Sequence, residues 1–380
     1  FYLLLILDKP TTLKKIKLRL SENFSRVFSD SELKSILGNF QRQGFINYVY
    51  GAQSIKKDNN SLENTIVPKT LSAPETVHLS VTGRCNLNCL FCYGKSEADD
   101  LSATQIFGLI DELSSMKVLQ LAIGGGEPFL RKDIFAIIDY CQRKNIVANI
   151  TTNGTLITDY IARKIRNKVG QVNISYNESI SKDDKEREEL NNFSGVHENK
   201  IYEQFKNALN ILIENNINVG VNLLATRYII PDFEKIIRGL LNYKIAKIII
   251  LRPKPCCNKK WYEENKLTKK ELLQLKRVLN KYTKRINVDC SLTCLMHGIP
   301  SQELKENAVY GCVAGVRFCT IKNNGDVYPC SFFSTKEFLA GNILKSNFKS
   351  IWQKKEIFKK FREMTNVIKG SCNSCEIAPI

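Results

Sequence analysis

The stretch "CNLNCLFCYG", residues 85–94, sets three thiols, Cys85, Cys89 and Cys92, with three and then two residues between them. Several chemistries fit that spacing. Positions i, i+4 and i+7 share one helix face, so the thiols could be buried apolar side chains, but Gly83, Asn86 and Asn88 make this stretch a poor helix. Thiolates also bind zinc; a closed structural site then needs a fourth donor, and the chain has only 3 histidines, none in this loop. Three thiolates on an iron–sulfur cube would leave one iron open to a substrate or cofactor. Spacing alone leaves these readings open.

A second stretch bears on the choice. "GGGEP", residues 124–128, ends a strand-like run with a glycine turn and a carboxylate. Gly125 and Gly126 permit close backbone approach, and Glu127 could bind a cationic amine. Further on, Cys312, Cys319 and Cys330 stand in "CVAGVRFCTIKNNGDVYPC", and Cys372 and Cys375 form a terminal "CNSC". Cys256, Cys257, Cys290 and Cys294 fit neither group and read as ordinary buried thiols, with substitute ligands or a redox pair as alternatives. Thirteen cysteines in 380 residues without a signal peptide point to metal ligation in a reducing cytoplasm rather than to a disulfide framework.

The elements that must position these residues follow from periodicity. "TTLKKIKLRLSENF" begins at a Thr cap, "SDSELKSILGNFQRQG" carries Ser31 ahead of helically spaced apolar positions, and "FINYVY" reads as a strand. Helix, helix, turn and strand make a winged-helix pattern over residues 1–70, linker included. From Glu75 the runs "TVHLSVT", "VLQLAIGG", "IVANITTN", "VGQVNISYN", "NVGVNLLATR" and "AKIIILRPKP" alternate with helical patterns. Six such units imply parallel strands with right-handed crossovers: an α/β fold, a partial (β/α)6 barrel of the TIM type, spanning residues 71–295. Chemistry in such barrels sits at the strand C-terminal ends, where Cys85 and Glu127 fall. Residues 296–380 form a third, Cys-rich domain with a hairpin turn at Asn324-Gly325 and an amphipathic helix around "FKSIWQKKEIFKKFREM".

Composition excludes some functions. The opening "FYLLLIL" is far shorter than the roughly 20 apolar residues of a membrane span, and no longer run follows. Net charge is +18, yet residues 1–70 hold 11 basic against 6 acidic residues, with no basic stripe interleaved with aromatics, which argues against a nucleic-acid partner.

With a CxxxCxxC loop after the first strand and GGE after the second, the chain resembles the radical S-adenosylmethionine (SAM) superfamily. The resemblance implies that Cys85, Cys89 and Cys92 ligate a 4Fe-4S cluster whose fourth iron takes the methionine part of SAM. It implies that Gly125, Gly126 and Glu127 contact the SAM amino group, and it places Asn153, Ser175 and Asn177 at the barrel mouth, within reach of ribose or carboxylate. The tail resembles the SPASM domain of peptide-modifying radical enzymes, whose two auxiliary 4Fe-4S clusters would use Cys312, Cys319 and Cys330, then Cys372 and Cys375. That pattern continues five residues beyond CxxC to another cysteine, so one is expected after Ile380, with residues missing before Phe1 as well. The first fifty residues resemble PqqD-like modules that bind a precursor's leader peptide through an added strand.

Together these resemblances imply a peptide maturase that cleaves SAM reductively and uses the 5'-deoxyadenosyl radical to take hydrogen from a ribosomally made precursor, forming a thioether or related crosslink. A low-potential flavodoxin or ferredoxin would supply electrons. A sulfatase maturase is the nearest alternative, though such enzymes carry Asp after the tail's "PC" where this chain has Ser331. A winged-helix iron–sulfur DNA-binding regulator is the alternative of another class.

Overall fold

The computed structural model describes residues 12–24, 29–42, 71–94, 96–176, 198–255, 258–296, 298–299 and 311–364. The chain divides into two compact units, residues 1–71 and 72–380. In the first, α1 (Leu13–Phe24) and α2 (Asp30–Arg42) bury Ile16, Leu20, Leu33 and Leu37. Thr12 Oγ1 accepts from the Lys15 N–H at 3.3 Å, the Thr cap expected from the sequence. For α2 the cap is Ser29 rather than Ser31: the Ser29 N–H donates to the Glu32 carboxylate at 2.9 Å, and the Glu32 N–H donates back to Ser29 Oγ at 3.2 Å. That reciprocal pair satisfies two orphan donors of the first turn, which Ser31 is two residues too late to do. The strand expected at "FINYVY" lies outside the described residues.

The second unit is an arc of strands. In chain order these are β1 (Thr76–Thr82), β2 (Gln120–Gly125), β3 (Val147–Thr152), β4 (Val169–Tyr176), β5 (Val219–Leu224), β6 (Lys247–Leu251), β7 (Ile286–Val288), β8 (Phe318–Ile321), β9 (Asp326–Tyr328) and β10 (Gly341–Asn342). They lie side by side as β10-β9-β8-β1-β2-β3-β4-β5-β6-β7, with β1 to β7 all parallel. The six expected strands are present, and a seventh, three residues long, lengthens the arc at "INV". The Cys-rich tail extends the same sheet: β8 pairs parallel with β1, and the hairpin to β9 turns at Asn324-Gly325.

Alternation fixes the two faces of the arc. Val77, Leu79 and Val81 of β1 and Leu121 and Ile123 of β2 are at most 1% exposed and point outward under the crossover helices. Helix α3 (Ala103–Ser115) covers them with Ile106, Leu109, Ile110 and Leu113, starting at a Ser102/Gln105 capping box. Polar side chains line the inner face: Asn149 Nδ2 donates to Gln120 Oε1 at 2.7 Å, and Gln120 Nε2 donates in turn to Thr76 Oγ1. The remaining crossover helices are α4 (Ile134–Arg143), α5 (Asp159–Ile165), α6 (Glu198–Glu214), α7 (Phe233–Leu241), α8 (Lys259–Asn265) and α9 (Lys269–Lys281). Among the described residues no helix is long and apolar enough to cross a membrane.

The single amphipathic helix expected near the end is two, α10 (Phe348–Lys354) and α11 (Glu356–Met364), separated by Lys355 in an extended conformation. The break lets both halves bury their aromatics: Trp352 and Phe358 are fully buried with ring centroids 4.9 Å apart. Arg362 spans the joint, its guanidinium 4.4 Å from the Trp352 ring and donating to the Trp352 carbonyl at 2.8 Å.

Candidate active site

Cys85, Cys89 and Cys92 sit in the loop that leaves β1, and the end of β1 is shaped to launch it. Ser80 pairs with Gly124 and Thr82 with Gly125, so Val81 is an extra residue that bends the strand. The Val81 carbonyl accepts from Arg131 Nη1 at 2.6 Å; Arg131 is buried and held by Asp133 at 2.6 Å. Thr82 Oγ1 and the Gly83 N–H both donate to Asp100, at 2.6 and 2.9 Å. Burial alone would raise Asp100, but these bonds, a third from Asn323 and the Arg84 charge prevail and hold it below the usual carboxylate range.

The glycines of "GGGEP" seat this loop. Gly125 adopts φ +124°, and a Cβ on it would lie 2.4 Å from the Thr82 carbonyl oxygen. On Gly126 a Cβ would lie 1.9 Å from the Arg84 carbonyl oxygen. The Gly126 N–H donates to Thr82 O and the Glu127 N–H to Arg84 O, both at 2.8 Å. The close approach expected toward a cofactor is therefore made, in these residues, toward the backbone of the cysteine loop.

Glu127 is fully buried, and its carboxylate is occupied by the protein itself. It accepts from Thr152 Oγ1 at 2.9 Å, the Asn153 N–H at 2.9 Å and the Phe129 N–H at 3.1 Å. Burial nonetheless pushes its pKa up, those bonds offsetting part of the cost. The residue thus ties the loop after β2 to the loop after β3. Asn153 carries the tie onward, its Nδ2 lying 3.0 Å from Asn86 Oδ1 and 3.8 Å from Cys85 Sγ, while Asn86 Nδ2 donates to Thr155 Oγ1 at 2.8 Å. Ser175 is half-buried on the inner side of β4 opposite Asn222 of β5, and Asn177 lies outside the described residues.

All three loop cysteines are free thiols. Burial raises Cys85, and it pushes Cys89 up to about 12 with help from the neighbouring Cys92 and Cys85. Thiolates crowded together and short of compensating charge are a donor set that a cationic iron centre would relieve. Among the described residues no three His, Cys, Asp or Glu side chains converge on one metal ion. A four-iron cube is wider than an ion and binds one thiolate per iron, so this looser set fits it.

The tail cysteines divide. Cys319 is in register with Val77 on the outer face of the sheet, fully buried, and burial drives its thiol pKa well up. It stands apart from Cys312 and Cys330, because alternation along β8 turns it toward the core. Cys290 and Cys294, read from sequence as ordinary buried thiols, are instead exposed. Cys256, Cys257, Cys372 and Cys375 lie outside the described residues. Two aromatics connect the regions: Tyr93, next to Cys92, packs on Phe332 with centroids 4.7 Å apart, and Lys254 Nζ lies 4.9 Å from the Phe332 ring centroid. Sequence reading missed Arg131, Asp100 and Lys254, since each acts on segments far away in the chain.

The comparisons with known proteins agree with this geometry. The chain matches the radical SAM superfamily over residues 79–238 and the iron–sulfur cluster-binding SPASM domain over residues 312–376. The protein is thus a radical SAM enzyme with a C-terminal SPASM domain, whose cofactors are SAM, the 4Fe-4S cluster that binds it and auxiliary 4Fe-4S clusters. It is 29% identical over 316 residues to the mycofactocin maturase MftC of Mycolicibacterium smegmatis, covering 80% of this chain and 76% of the relative. It is 27% identical over 332 residues to the AdoMet-dependent heme synthase of Methanosarcina barkeri, covering 80% of this chain and 89% of that one. In fold it is similar to Streptococcus suis SuiB bound to its precursor peptide SuiA, with TM-score 0.65 and 18% identity, covering 100% of this chain and 86% of SuiB.

Proposed function

We propose that this enzyme is a peptide maturase: it removes hydrogen from a ribosomally made precursor peptide and leaves a thioether or related crosslink. The observation that carries the reading is the extent of the SuiB likeness. The peptide-bound SuiB structure matches the whole chain, the first unit included, whereas structures of anSMEcpe with bound AdoMet match 79% of it. The mycofactocin maturase relatives support the same class of substrate. In this reading the first unit receives the leader part of the precursor, a flavodoxin or ferredoxin gives electrons, and the protein works in the cytoplasm.

When bound, the cluster and SAM together supply a 5'-deoxyadenosyl radical, and the barrel's part is to hold and shield them. Cys85, Cys89 and Cys92 would hold the cluster. Asn153 orients Cys85 and Asn86, Glu127 fixes Asn153 from behind, and Gly125 and Gly126 hold the loop against β2, where with Glu127 they would border bound SAM. Ser175 supplies a hydroxyl on the inner wall. A formylglycine-forming sulfatase maturase would want a carboxylate at position 331. Ser331 instead meets Thr320 Oγ1 at 2.9 Å and His78 Nδ1 at 3.2 Å, a histidine that burial pushes down to about 4 and so keeps neutral.

The test is a search of the neighbouring genes for a short Cys-containing precursor, then anaerobic reconstitution followed by reductant, SAM and that peptide. Expected are 5'-deoxyadenosine and a product two hydrogens lighter per crosslink, with Cys89→Ala reducing both to the assay background. Formation of 5'-deoxyadenosine with an unmodified peptide, but with turnover of a porphyrin, would move the substrate to the class named by the heme synthase relatives.

A further inference from the structure

The inner face of the strand arc is polar, where a closed barrel of this type is filled with branched apolar side chains. The buried core takes the outward face: Val172 and Ile174 of β4, Val219 and Val221 of β5 and Ile248 and Ile250 of β6 are at most 1% exposed. Alternate positions turn inward and carry amides, Gln120, Asn149, Gln171, Asn173, Asn222 and Asn287, each half-buried. Gln171 Nε2 donates to Asn173 Oδ1 at 2.6 Å, and Lys247 Nζ to Asn287 Oδ1 at 3.4 Å. Among the described inner-face positions of β1 to β7 there is one lysine, Lys247, no arginine and no carboxylate. Register sets these residues against the cysteine loop. Asn153, which touches Cys85, stands one residue past the Thr152–Ile174 pair and so at the level of Ser175 and its partner Asn222. Thr151, Asn173, Gly220 and Lys247 pair in turn across β3 to β6 two residues further in, about 7 Å along the strands. Gly220 has ordinary strand backbone, outside the left-handed region, so conformation does not call for glycine there. Room does: a Cβ on it would lie 2.2 Å from Asn173 Oδ1 and 2.6 Å from Gln171 Nε2, because both amides lie flat across β5. His78 leans in the same way over β2, where a Cβ on Gly124 would lie 2.7 Å from its Nε2.

We propose that the level formed by Thr151, Asn173, Gly220 and Lys247 is the floor on which the segment to be modified lies, that the wall amides bond its main chain, and that Gly220 determines specificity by setting the width of the floor. The assignment rests on the peptide-maturase reading and deepens it, naming the groups that hold the reacting segment. An Asn or Gln side chain offers a donor and an acceptor, the same pair that a peptide unit offers, so an amide wall bonds an extended main chain whatever side chains it carries. A tetrapyrrole would need broad apolar walls and a cation for each of its carboxylates, whereas this wall presents amides and a single lysine. Glycine inside a strand gives up side-chain packing, a cost that close approach of another group explains. At position 220 it keeps Asn173 and Gln171 against the wall and leaves the width of the lumen to the reacting side chain. A segment on this floor passes one strand step beneath the loop that carries Cys85.

The experiment uses the full reconstituted chain with SAM, reductant and the precursor peptide of the preceding test. Gly220→Ala pushes the two amides into the lumen and should raise KM for the peptide by about tenfold while lowering kcat much less, the pattern of lost uniform binding. Asn173→Ala should raise KM by a smaller factor through one lost hydrogen bond. The double variant Gly220→Ala/Asn173→Ala should fall back toward the Asn173→Ala value, because the displaced amide is gone. Gly239→Ala on α7, where an added Cβ meets nothing within 4 Å, is the matched control and should leave both constants unchanged. Circular dichroism and melting curves check folding. A second measurement needs no mutation and decides alone if Gly220→Ala does not fold: a precursor carrying a benzophenone side chain beside the modified residue, irradiated with the wild-type holoenzyme, should label the β4 and β5 peptides around Asn173 and Gly220, as read by mass mapping. Labelling confined to the outer helices, an unchanged KM in a folded Gly220→Ala chain, or a double variant worse than both single variants would overturn the floor and leave the peptide-maturase reading standing. A wild-type chain that turns over a porphyrin and leaves the peptide unmodified would overturn both.

Discussion

Cys85, Cys89 and Cys92 come from one short loop, whereas Cys290, Cys312 and Cys330 come from three segments that follow β7, precede β8 and follow β9. The first set is shaped by backbone packed on backbone: Gly125 and Gly126 lie against the carbonyls of Thr82 and Arg84, and Arg131 answers the bulged Val81 carbonyl. The second is placed by topology, since β8 joins β1 and so puts the segments of Cys312 and Cys330 on the far side of β1 from β7 and Cys290. A contiguous loop can therefore be disrupted by one added methyl group, while the dispersed set should tolerate that change and respond to loss of a side chain.

The sharpest way to break the comparison is Gly126→Ala. Its Cβ would stand 1.9 Å from the Arg84 carbonyl oxygen, a backbone atom that cannot move aside without moving the cysteine loop. Overpacking of this kind costs about 1–3 kcal/mol. The variant should melt lower and, after reconstitution, lose iron from the radical SAM site while keeping its auxiliary iron, read by iron analysis and by low-temperature EPR of the separately reduced clusters. Equal loss at both sites would show that the two sets are not independent.

Much of the first set was legible in sequence because its determinants are local. Period-two alternation marked β1 and β2, and the CxxxCxxC spacing marked the loop cysteines. What the glycines touch was not legible: conformational freedom predicts a close approach but not the partner, which here is the neighbouring loop. The surroundings of the tail cysteines were not legible for the same reason. Cys319 stands between Cys312 and Cys330 in the chain, but strand alternation turns it outward, in register with Val77, which spacing along the chain does not show. The break at Lys355 escaped notice because an amphipathic pattern continues across it, the burial of Trp352 and Phe358 deciding the matter.

Asp100 links the two regions, so its titration sharpens the comparison. Its carboxylate accepts from Thr82 and Gly83 at the root of the cysteine loop and from Asn323 Nδ2 at 3.0 Å in the tail hairpin. Its pKa is depressed in the folded chain, so its stabilisation is complete above the unfolded value, about 3.9, and disappears as pH falls through the lower folded value. Asp100→Asn removes this slope and turns an amide N–H toward existing donors, a loss of about 1–3 kcal/mol at neutral pH. Thermal melts at pH 7 should separate the two chains, and melts on the acid side of pH 4 should bring them together. A gap that persists undiminished in acid would remove Asp100 as the link.

The smallest expected effect is the control that gives the glycine argument its meaning. Gly108 lies in the middle of α3 on its exposed face, and an added Cβ would meet nothing within 4 Å. It therefore has the entropic liability of a helical glycine with no close approach in return, and Gly108→Ala should stabilise the chain by about 1 kcal/mol. Iron content should be unchanged at both sites, because the added methyl group at Gly108 meets nothing within 4 Å. Opposite signs for the same substitution at Gly126 and Gly108 would establish that packing at the loop, rather than backbone freedom as such, is what the "GGGEP" glycines provide. If Gly126→Ala behaved like Gly108→Ala, the loop would have room to shift, and the rigid seating of Cys85 and its neighbours would have to come from the Glu127 and Asn153 hydrogen bonds alone.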